Sequence, residues 1–350
     1  MSLTNTVCAP IKFGLRVIGI WPESYNFLYR IFWTISLGLA QIFQFKYIII
    51  CIKTANFLDL VDSISTTLPY SLLCLKLIIL WYNQGLFNNI LTSMSRDWES
   101  WIGDTVTFNM RTMRTMRIMM NKTILSYRCS LLIIGVYSIA VVVYVSVIIN
   151  YNNNDNDRKE NQLFLKMEFP FFYDFFPVYE VVMFVQFIQL LSNASIIGML
   201  DALILTLIFH VSGQIDIMCQ GLDDFFSKDF KHKSYKNMKS AIICRHQNII
   251  TFSNNIESLF SYIALMQFLT NTLVICCIAF MIVIRHTIFC FISFYHEARY
   301  IEKFVHVWIL TMAEPIAFYI GSLCRLGHPS IRSSRSWALP RLPRPGSPGL

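Results

Sequence analysis

The stretch SLLIIGVYSIAVVVYVSVII, residues Ser130–Ile149, decides the fold class of this chain. It is twenty residues long and contains no charged side chain. About 20 apolar residues in a helix are enough to cross a hydrocarbon core roughly 30 Å thick. The sequence therefore predicts a transmembrane helix at these residues.

Five further apolar stretches approach or exceed this length: Ile31–Ile52, Leu60–Tyr82, Phe175–His210, Leu259–Ile284 and Phe304–Leu323. The stretch from Phe175 to His210 would form a helix about 54 Å long. Such a helix is expected to tilt or to project beyond the bilayer. We predict an all-α, polytopic transmembrane bundle over residues 31–323 with six visible spans.

The composition excludes a soluble fold. Hydrophobic residues make up 55% of the chain and charged residues 14%, and the mean hydropathy is +0.50. An average soluble domain is about 25% charged, so this chain has too few charges to cover a water-facing surface. The net charge of +8 does not indicate nucleic acid as a partner, because the basic residues lie between apolar runs and form no patch. Membrane lipid is the expected surrounding.

The distribution of lysine and arginine predicts a cytosolic amino terminus. Three basic residues precede the first span, and six lie in each of the loops 83–129 and 211–258. The opposite side carries one near residue 53, three in 150–174 and three in 285–303. Short cytosolic loops are enriched in lysine and arginine, so the more basic side is expected to face the cytosol.

The segments outside the spans are polar. Residues 1–30 form the expected cytosolic amino-terminal segment, and they contain no signal peptide. The loop NYNNNDNDRKENQ, residues 150–162, is expected to be solvated and to lie outside. Residues 324–350 hold five arginines, no acidic residue and repeated proline and serine, a composition that predicts a disordered basic tail.

The sequence contains no motif that predicts an enzyme. It has no glycine-rich phosphate loop, no G-x-S-x-G turn and no H-E-x-x-H helix. The spacing of His286, His296 and Glu297 fits no helical face, so we predict no metal site. The ten cysteines form no C-x-x-C pair and are interpreted as small buried hydrophobes. No cofactor is expected.

Aromatic residues indicate a site for a small apolar molecule. The cluster FPFFYDFFPVYE, residues 169–180, lies where an outer loop meets the fourth span, and Phe184 and Phe187 continue it into the membrane. Tyr70, Tyr137 and Tyr144 bring hydroxyl groups into neighbouring spans. Large apolar area with one or two hydrogen-bond donors suits a volatile ligand. The alternative is that these rings only pack helices together.

Two longer stretches resemble insect odorant receptors. FPVYEVVMFVQFIQLLSNASIIGMLDALILTLIFHVSGQIDIM, residues 176–218, is similar to the fourth span of that family. It has an outer Pro-x-Tyr, an Asp partway down, and His and Gln near the inner end. RHQNIITFSNNIESLFSYIALMQFLTNTLVICCIAF, residues 245–280, resembles the stretch leading into the fifth span, and RDWESW, residues 96–101, resembles the long inner loop. The likeness covers about residues 10–322.

This resemblance implies a seven-span subunit of an odorant-gated cation channel. Such receptors have a cytosolic amino terminus, assemble with a co-receptor subunit and lie in the plasma membrane of sensory dendrites. Odorants bind among the outer halves of spans two, three, four and six. Carried onto this sequence, the ligand-binding residues are Tyr70, Tyr137, Tyr144, Met183, Phe184, Phe187 and Ile188.

The chain departs from the family at its carboxyl end, where the basic tail of residues 324–350 stands in the place of the seventh span. Three alternatives stay open at this point: a gustatory-type receptor, a G-protein-coupled chemoreceptor and a small-solute transporter. A G-protein-coupled receptor would have the opposite orientation. A transporter often has internal repeats, and none is found here.

Overall fold

The structure is a computed structural model that describes residues 7–21, 27–103, 110–154, 163–173, 175–227 and 232–289. Within these ranges every regular element is a helix, and the predicted all-α class is confirmed. The helices are α1 Ala9–Val17, α2 Phe27–Lys53, α3 Phe57–Tyr82, α4 Gln84–Gly103, α5 Met110–Asn154, α6 Val178–Ser227 and α7 His232–Phe289.

Five of the helices are long and apolar enough to cross a membrane: α2, α3, α5, α6 and α7. Helices α2, α3, α5 and α7 each contain one of the predicted apolar stretches, and α6 contains all but the first three residues of Phe175–His210. The predicted sixth span, residues 304–323, and the tail, residues 324–350, lie outside the described residues. The side chains of His286, His296 and Glu297 also lie outside the described part.

Three of these helices continue well past their apolar stretches. Helix α5 has 45 residues, α6 has 50 and α7 has 58. At about 1.5 Å per residue, α6 is roughly 75 Å long, more than twice the thickness of the hydrocarbon core. The polar part of each helix must therefore stand in water, as expected for the overlong fourth span.

Helix α6 is the central helix of the bundle. In its most apolar window 72% of the residues are buried inside the protein, against 28% for both α2 and α5. The contact between α5 and α6 is more extensive than that between any other pair of described helices. A glycine permits this close approach, because a Cβ atom at Gly198 would lie 2.9 Å from Cδ2 of Tyr137 and 3.3 Å from Cα of Ile134.

The short helix α1 packs against the middle of α6, where Gly14 lies beside Met199. Ile11 and Leu15 are fully buried. The chain after α1 is tied down by two indole groups: Nε1 of Trp33 donates to the carbonyl oxygen of Val17 at 3.0 Å, and Nε1 of Trp81 donates to that of Ile18 at 3.1 Å. The sequence did not predict this helix, because its apolar face is too short to stand out.

The outer surface of the spans is apolar. On α2, four exposed side chains follow a heptad-like spacing: Phe32, Ile35, Leu39 and Ile42, with exposed fractions between 49% and 62%. A water-soluble protein rarely exposes a continuous apolar stripe of this kind. Lipid is the solvent that such a surface requires, since all backbone polar groups of the helix are already bonded internally.

Candidate ligand-binding site

The site lies where α3, α5 and α6 meet, between two clusters of bonded polar groups. We call the first the outer cluster; it joins the loop 163–173 to the ends of α3, α5 and α6 nearest that loop. The inner cluster lies about two to four turns deeper in the bundle. A buried layer separates the two clusters, and we refer to it as the middle layer.

In the outer cluster the loop 163–173 folds back into the bundle. The side-chain amide of Gln186 accepts from the backbone N–H of Leu165 and donates to its carbonyl oxygen, both at 3.2 Å. The hydroxyl of Tyr144 donates to the carbonyl oxygen of Phe164 at 2.7 Å. Gln186, Leu165 and Phe164 are all buried. These bonds cover the outer end of the site with ordered backbone.

A lysine fastens the same loop to α3. Nζ of Lys166 lies 2.6 Å from Oδ1 of Asp59 and 3.0 Å from Oδ2 of Asp62. Burial alone would lower the pKa of Lys166, but the adjacent carboxylates of Asp62 and Asp59 raise it above its ordinary value. Lys166 therefore stays protonated at physiological pH, and its ion pairs with α3 persist there.

The inner cluster contains an ion pair buried in the membrane-spanning region. Nζ of Lys76 on α3 lies 3.0 Å from Oδ1 of Asp201 on α6, and both side chains are almost completely buried. The hydroxyl of Tyr137 on α5 donates to Oδ2 of Asp201 at 2.6 Å. A carboxylate in an apolar interior requires such partners. Three helices are thereby joined at one carboxyl group.

The middle layer consists of buried residues between the two clusters: Tyr70, Leu73, Val141, Leu190, Asn193 and Ala194. Two of its members are polar and lack a partner. The hydroxyl of Tyr70 and both amide atoms of Asn193 lie near one another, yet none reaches hydrogen-bond geometry with any described residue. Leaving a buried polar group unbonded costs about 1–3 kcal/mol. The layer can therefore gain energy from a molecule that supplies partners.

The residues predicted from the sequence fall into three groups. Tyr70 lines the middle layer, whereas Tyr137 and Tyr144 use their hydroxyls in the inner and outer clusters. Met183 is buried and Phe187 packs against the same core. Phe184 and Ile188 are 65% and 45% exposed, and face away from this core among the described residues. The assignment of these seven residues to the ligand stays a prediction.

Gln186 and Asn193 were not predicted from the sequence as residues of the site. The signal that could have found them is their position on α6. At 100° per residue, Gln186, Asn193 and Asp201 lie within about 80° of one another around the helix. Three polar residues on one face of an otherwise apolar span indicate an inward-facing polar row.

A second candidate is a cavity of about 450 Å³ between α4, α6 and α7. Its lining includes Arg96, Asp97, Gln214 and Arg245. Oδ2 of Asp97 accepts from Nε2 of Gln214 at 2.8 Å and lies 3.0 Å from Nε2 of His210. Charged side chains project into this cavity, which lies on the far side of the inner cluster, so it suits an apolar volatile molecule poorly.

Five helices that are long and apolar enough to cross a membrane define a multi-pass helical membrane protein. The sequence model of the 7tm odorant receptor family matches residues 56–295. The chain therefore belongs to that family. This match favours an odorant receptor over the gustatory, G-protein-coupled and transporter alternatives. No curated protein sequence is significantly similar to the chain.

Two solved structures are similar in fold. The insect olfactory receptor OR5 from Machilis hrabei aligns with a TM-score of 0.56 at 13% identity, over 90% of this chain and 77% of that chain. The same receptor in complex with eugenol aligns with a TM-score of 0.54, also at 13% identity, over 88% and 77% of the two chains. At this identity the likeness establishes the fold alone.

Proposed function

We propose that this odorant receptor binds small volatile molecules in the middle layer and acts as the ligand-tuning subunit of a heteromeric cation channel. The observation that supports the proposal is the arrangement of the layer: it is mostly apolar, buried and closed at both ends by bonded polar groups. A compact and mostly apolar molecule suits such a space, because it loses little hydration that the site cannot replace. The eugenol complex of the Machilis receptor gives a precedent for a ligand of this kind.

The proposed action is a shift between two conformations and involves no covalent chemistry. The layer touches three helices, and the inner cluster joins the same three helices one to three turns deeper. A ligand that fits the layer better in one helix arrangement stabilises that arrangement by its difference in affinity. The inner cluster would then carry the rearrangement from the ligand toward the cytosolic halves of α5 and α6. A co-receptor subunit is the proposed partner in the pore.

We also propose a cytosolic amino terminus and a location in the plasma membrane of sensory dendrites. The excess of basic residues in loops 83–129 and 211–258 supports this orientation. The loop containing residues 155–162 would then face outward. A glycan acceptor inserted there is expected to be glycosylated in microsomes, whereas modification at Asn121 instead would reverse the orientation.

Current recording tests the proposed function. Cells expressing the chain with a co-receptor are expected to conduct cations on exposure to members of a volatile panel, and cells expressing the co-receptor alone are expected not to respond to those members.

Replacing Leu190 with phenylalanine fills the middle layer and is expected to raise the half-maximal ligand concentration about tenfold, because about 1.4 kcal/mol of binding energy is lost to overpacking.

The matched control is Ser146→Phe, which adds the same ring at an exposed position of α5. This variant is expected to respond like the unmodified chain at equal surface expression. Equal effects of the two substitutions, or no ligand-dependent current with any volatile compound, would contradict the proposed function.

A further inference from the structure

We infer that the middle layer selects small apolar molecules carrying one hydroxyl group, which is bound jointly by Tyr70 and Asn193. This inference rests on the proposed function, because it names the chemical class of the ligand at that site. It adds Asn193, which neither the sequence patterns nor the family resemblance singled out, as a specificity-determining residue.

The inward row of α6 supports the choice of Asn193. Gln186, seven residues before it, has both amide groups bonded to the backbone of Leu165. Asp201, eight residues after it, is bonded to Lys76 and Tyr137. Asn193 stands between them with both amide atoms unbonded, although its side chain is only 3% exposed. Gln186 and Asp201 therefore bond to groups of the protein, and we assign Asn193 to a ligand.

The facing helix α3 repeats this pattern. Asp62, near one end of α3, forms an ion pair with Lys166, and Lys76, near the other end, forms an ion pair with Asp201. Tyr70 lies between them, 6% exposed and without a hydrogen-bond partner for its hydroxyl. The two groups thus lie near each other in the middle layer, on different helices, without reaching hydrogen-bond geometry.

The chemistry of the two groups defines the ligand. A hydroxyl group both donates and accepts, so it can donate to the carbonyl oxygen of Asn193 and accept from the hydroxyl of Tyr70. The remaining walls, Leu73, Val141 and Leu190, are apolar and require an apolar body. A carboxylate or an amine would bring a charge that the layer cannot neutralise, since the charges of Lys76 and Asp201 already balance each other.

The layer is closed in this structure. The unbonded atoms of Tyr70 and Asn193 have essentially no accessible surface. A ligand therefore reaches them only when the neighbouring side chains or helices move apart. This requirement links occupancy of the site to a change in helix packing, as the proposed gating demands.

The test compares two isomers, 1-heptanol and methyl hexyl ether, on the purified full-length chain. The isomers have the same number of heavy atoms, but the ether cannot donate a hydrogen bond. A ligand that binds only the folded state raises the unfolding temperature in a saturable way. The half-maximal concentration for 1-heptanol is expected to be about tenfold below that for the ether.

Two substitutions remove one polar group each with little change of volume, Tyr70→Phe and Asn193→Leu. Asn193→Leu is expected to raise the half-maximal concentration of 1-heptanol about five- to tenfold and to change that of the ether at most about threefold, since one hydrogen bond of about 1–1.5 kcal/mol is lost. Tyr70→Phe is expected to raise both concentrations about five- to tenfold, because the ether oxygen can also accept from the hydroxyl of Tyr70. Ser146→Ala, at an exposed position of α5, is the control and is expected to change neither value.

The ligand-free proteins give an independent readout. Because neither Tyr70 nor Asn193 reaches hydrogen-bond geometry with any residue that the structure describes, both variants are expected to unfold at the same temperature as the unmodified chain or above it. A clear fall in both would mean that these groups bond within the protein, and would overturn the inference.

Equal half-maximal concentrations for the two isomers, or an equal effect of Asn193→Leu on both isomers, would also overturn the inference. So would the absence of a saturable shift with 1-heptanol. The proposed function is judged separately, by the current recordings with the wider panel. If the chain gives ligand-dependent currents but binds the two isomers with equal half-maximal concentrations, the proposed function stands and the hydroxyl selectivity is wrong.

Discussion

Replacing Asp201 with leucine is expected to abolish recovery of folded protein. The substitution leaves the ammonium group of Lys76 buried without its countercharge, and breaking one side of a buried ion pair costs about 3–5 kcal/mol. Such a loss is a large part of the stability of a typical protein. Tyr137 also loses its acceptor. The measurement is the fraction of monodisperse protein in size-exclusion chromatography, together with the unfolding temperature.

The double variant Lys76→Met with Asp201→Leu separates the charge from the packing. Replacing both partners of a buried pair by apolar residues of similar size is often neutral, so most of the folded protein is expected to return. The matched control is Asp216→Asn, because Lys122 and Asp216 also lie 3.0 Å apart but are 22% and 27% exposed. A partly exposed pair contributes about 1 kcal/mol or less. A loss in the double variant equal to that in Asp201→Leu would contradict the assigned role of the pair.

Replacing Gln186 with leucine is expected to have the next largest effect. The substitution leaves the N–H and the carbonyl oxygen of Leu165 buried without partners, at a cost of about 1–3 kcal/mol for each group. The loop 163–173 should then detach from the outer end of the site. The expected result is a lower unfolding temperature and faster amide hydrogen exchange at residues 163–167.

Gln189→Leu is the control for this substitution. Gln189 lies less than one turn further along α6 and makes a single, longer bond of 3.4 Å to the carbonyl oxygen of Ser36. It is expected to leave hydrogen exchange in the loop unchanged. Equal protection of residues 163–167 in the Gln186 variant and in the unmodified chain would show that the loop is held by other contacts.

Much of the fold could be predicted from the sequence because the bilayer imposes a simple length rule. The charge-free stretch Ser130–Ile149 and the four other apolar stretches within the described residues follow from counting apolar residues against the thickness of the membrane. Helix boundaries could not be found in this way. The parts of α5 and α7 that lie beyond the apolar stretches carry ordinary polar sequence, and their helical structure depends on packing against other helices.

The candidate site was predicted only in part, and the reason is physical. Aromatic side chains such as Tyr70 stand out in an apolar span, but the sequence does not reveal which hydroxyl is already bonded. Tyr137 and Tyr144 look like Tyr70 in the sequence, yet their hydroxyls bond to Asp201 and to Phe164. The pairing of Lys76 with Asp201 joins residues 125 positions apart. Such pairings require the tertiary structure.

Photolabelling tests most directly whether a small molecule binds between the inner and outer clusters. The purified full-length chain would be irradiated with a diazirine analogue of 1-heptanol and the modified residues mapped by mass spectrometry. Label is expected on the middle layer, at Tyr70 on α3 and at Leu190 to Asn193 on α6, and it is expected to be lost with excess 1-heptanol. Label spread over the exposed faces of α2 and α7, unchanged by excess 1-heptanol, would contradict it.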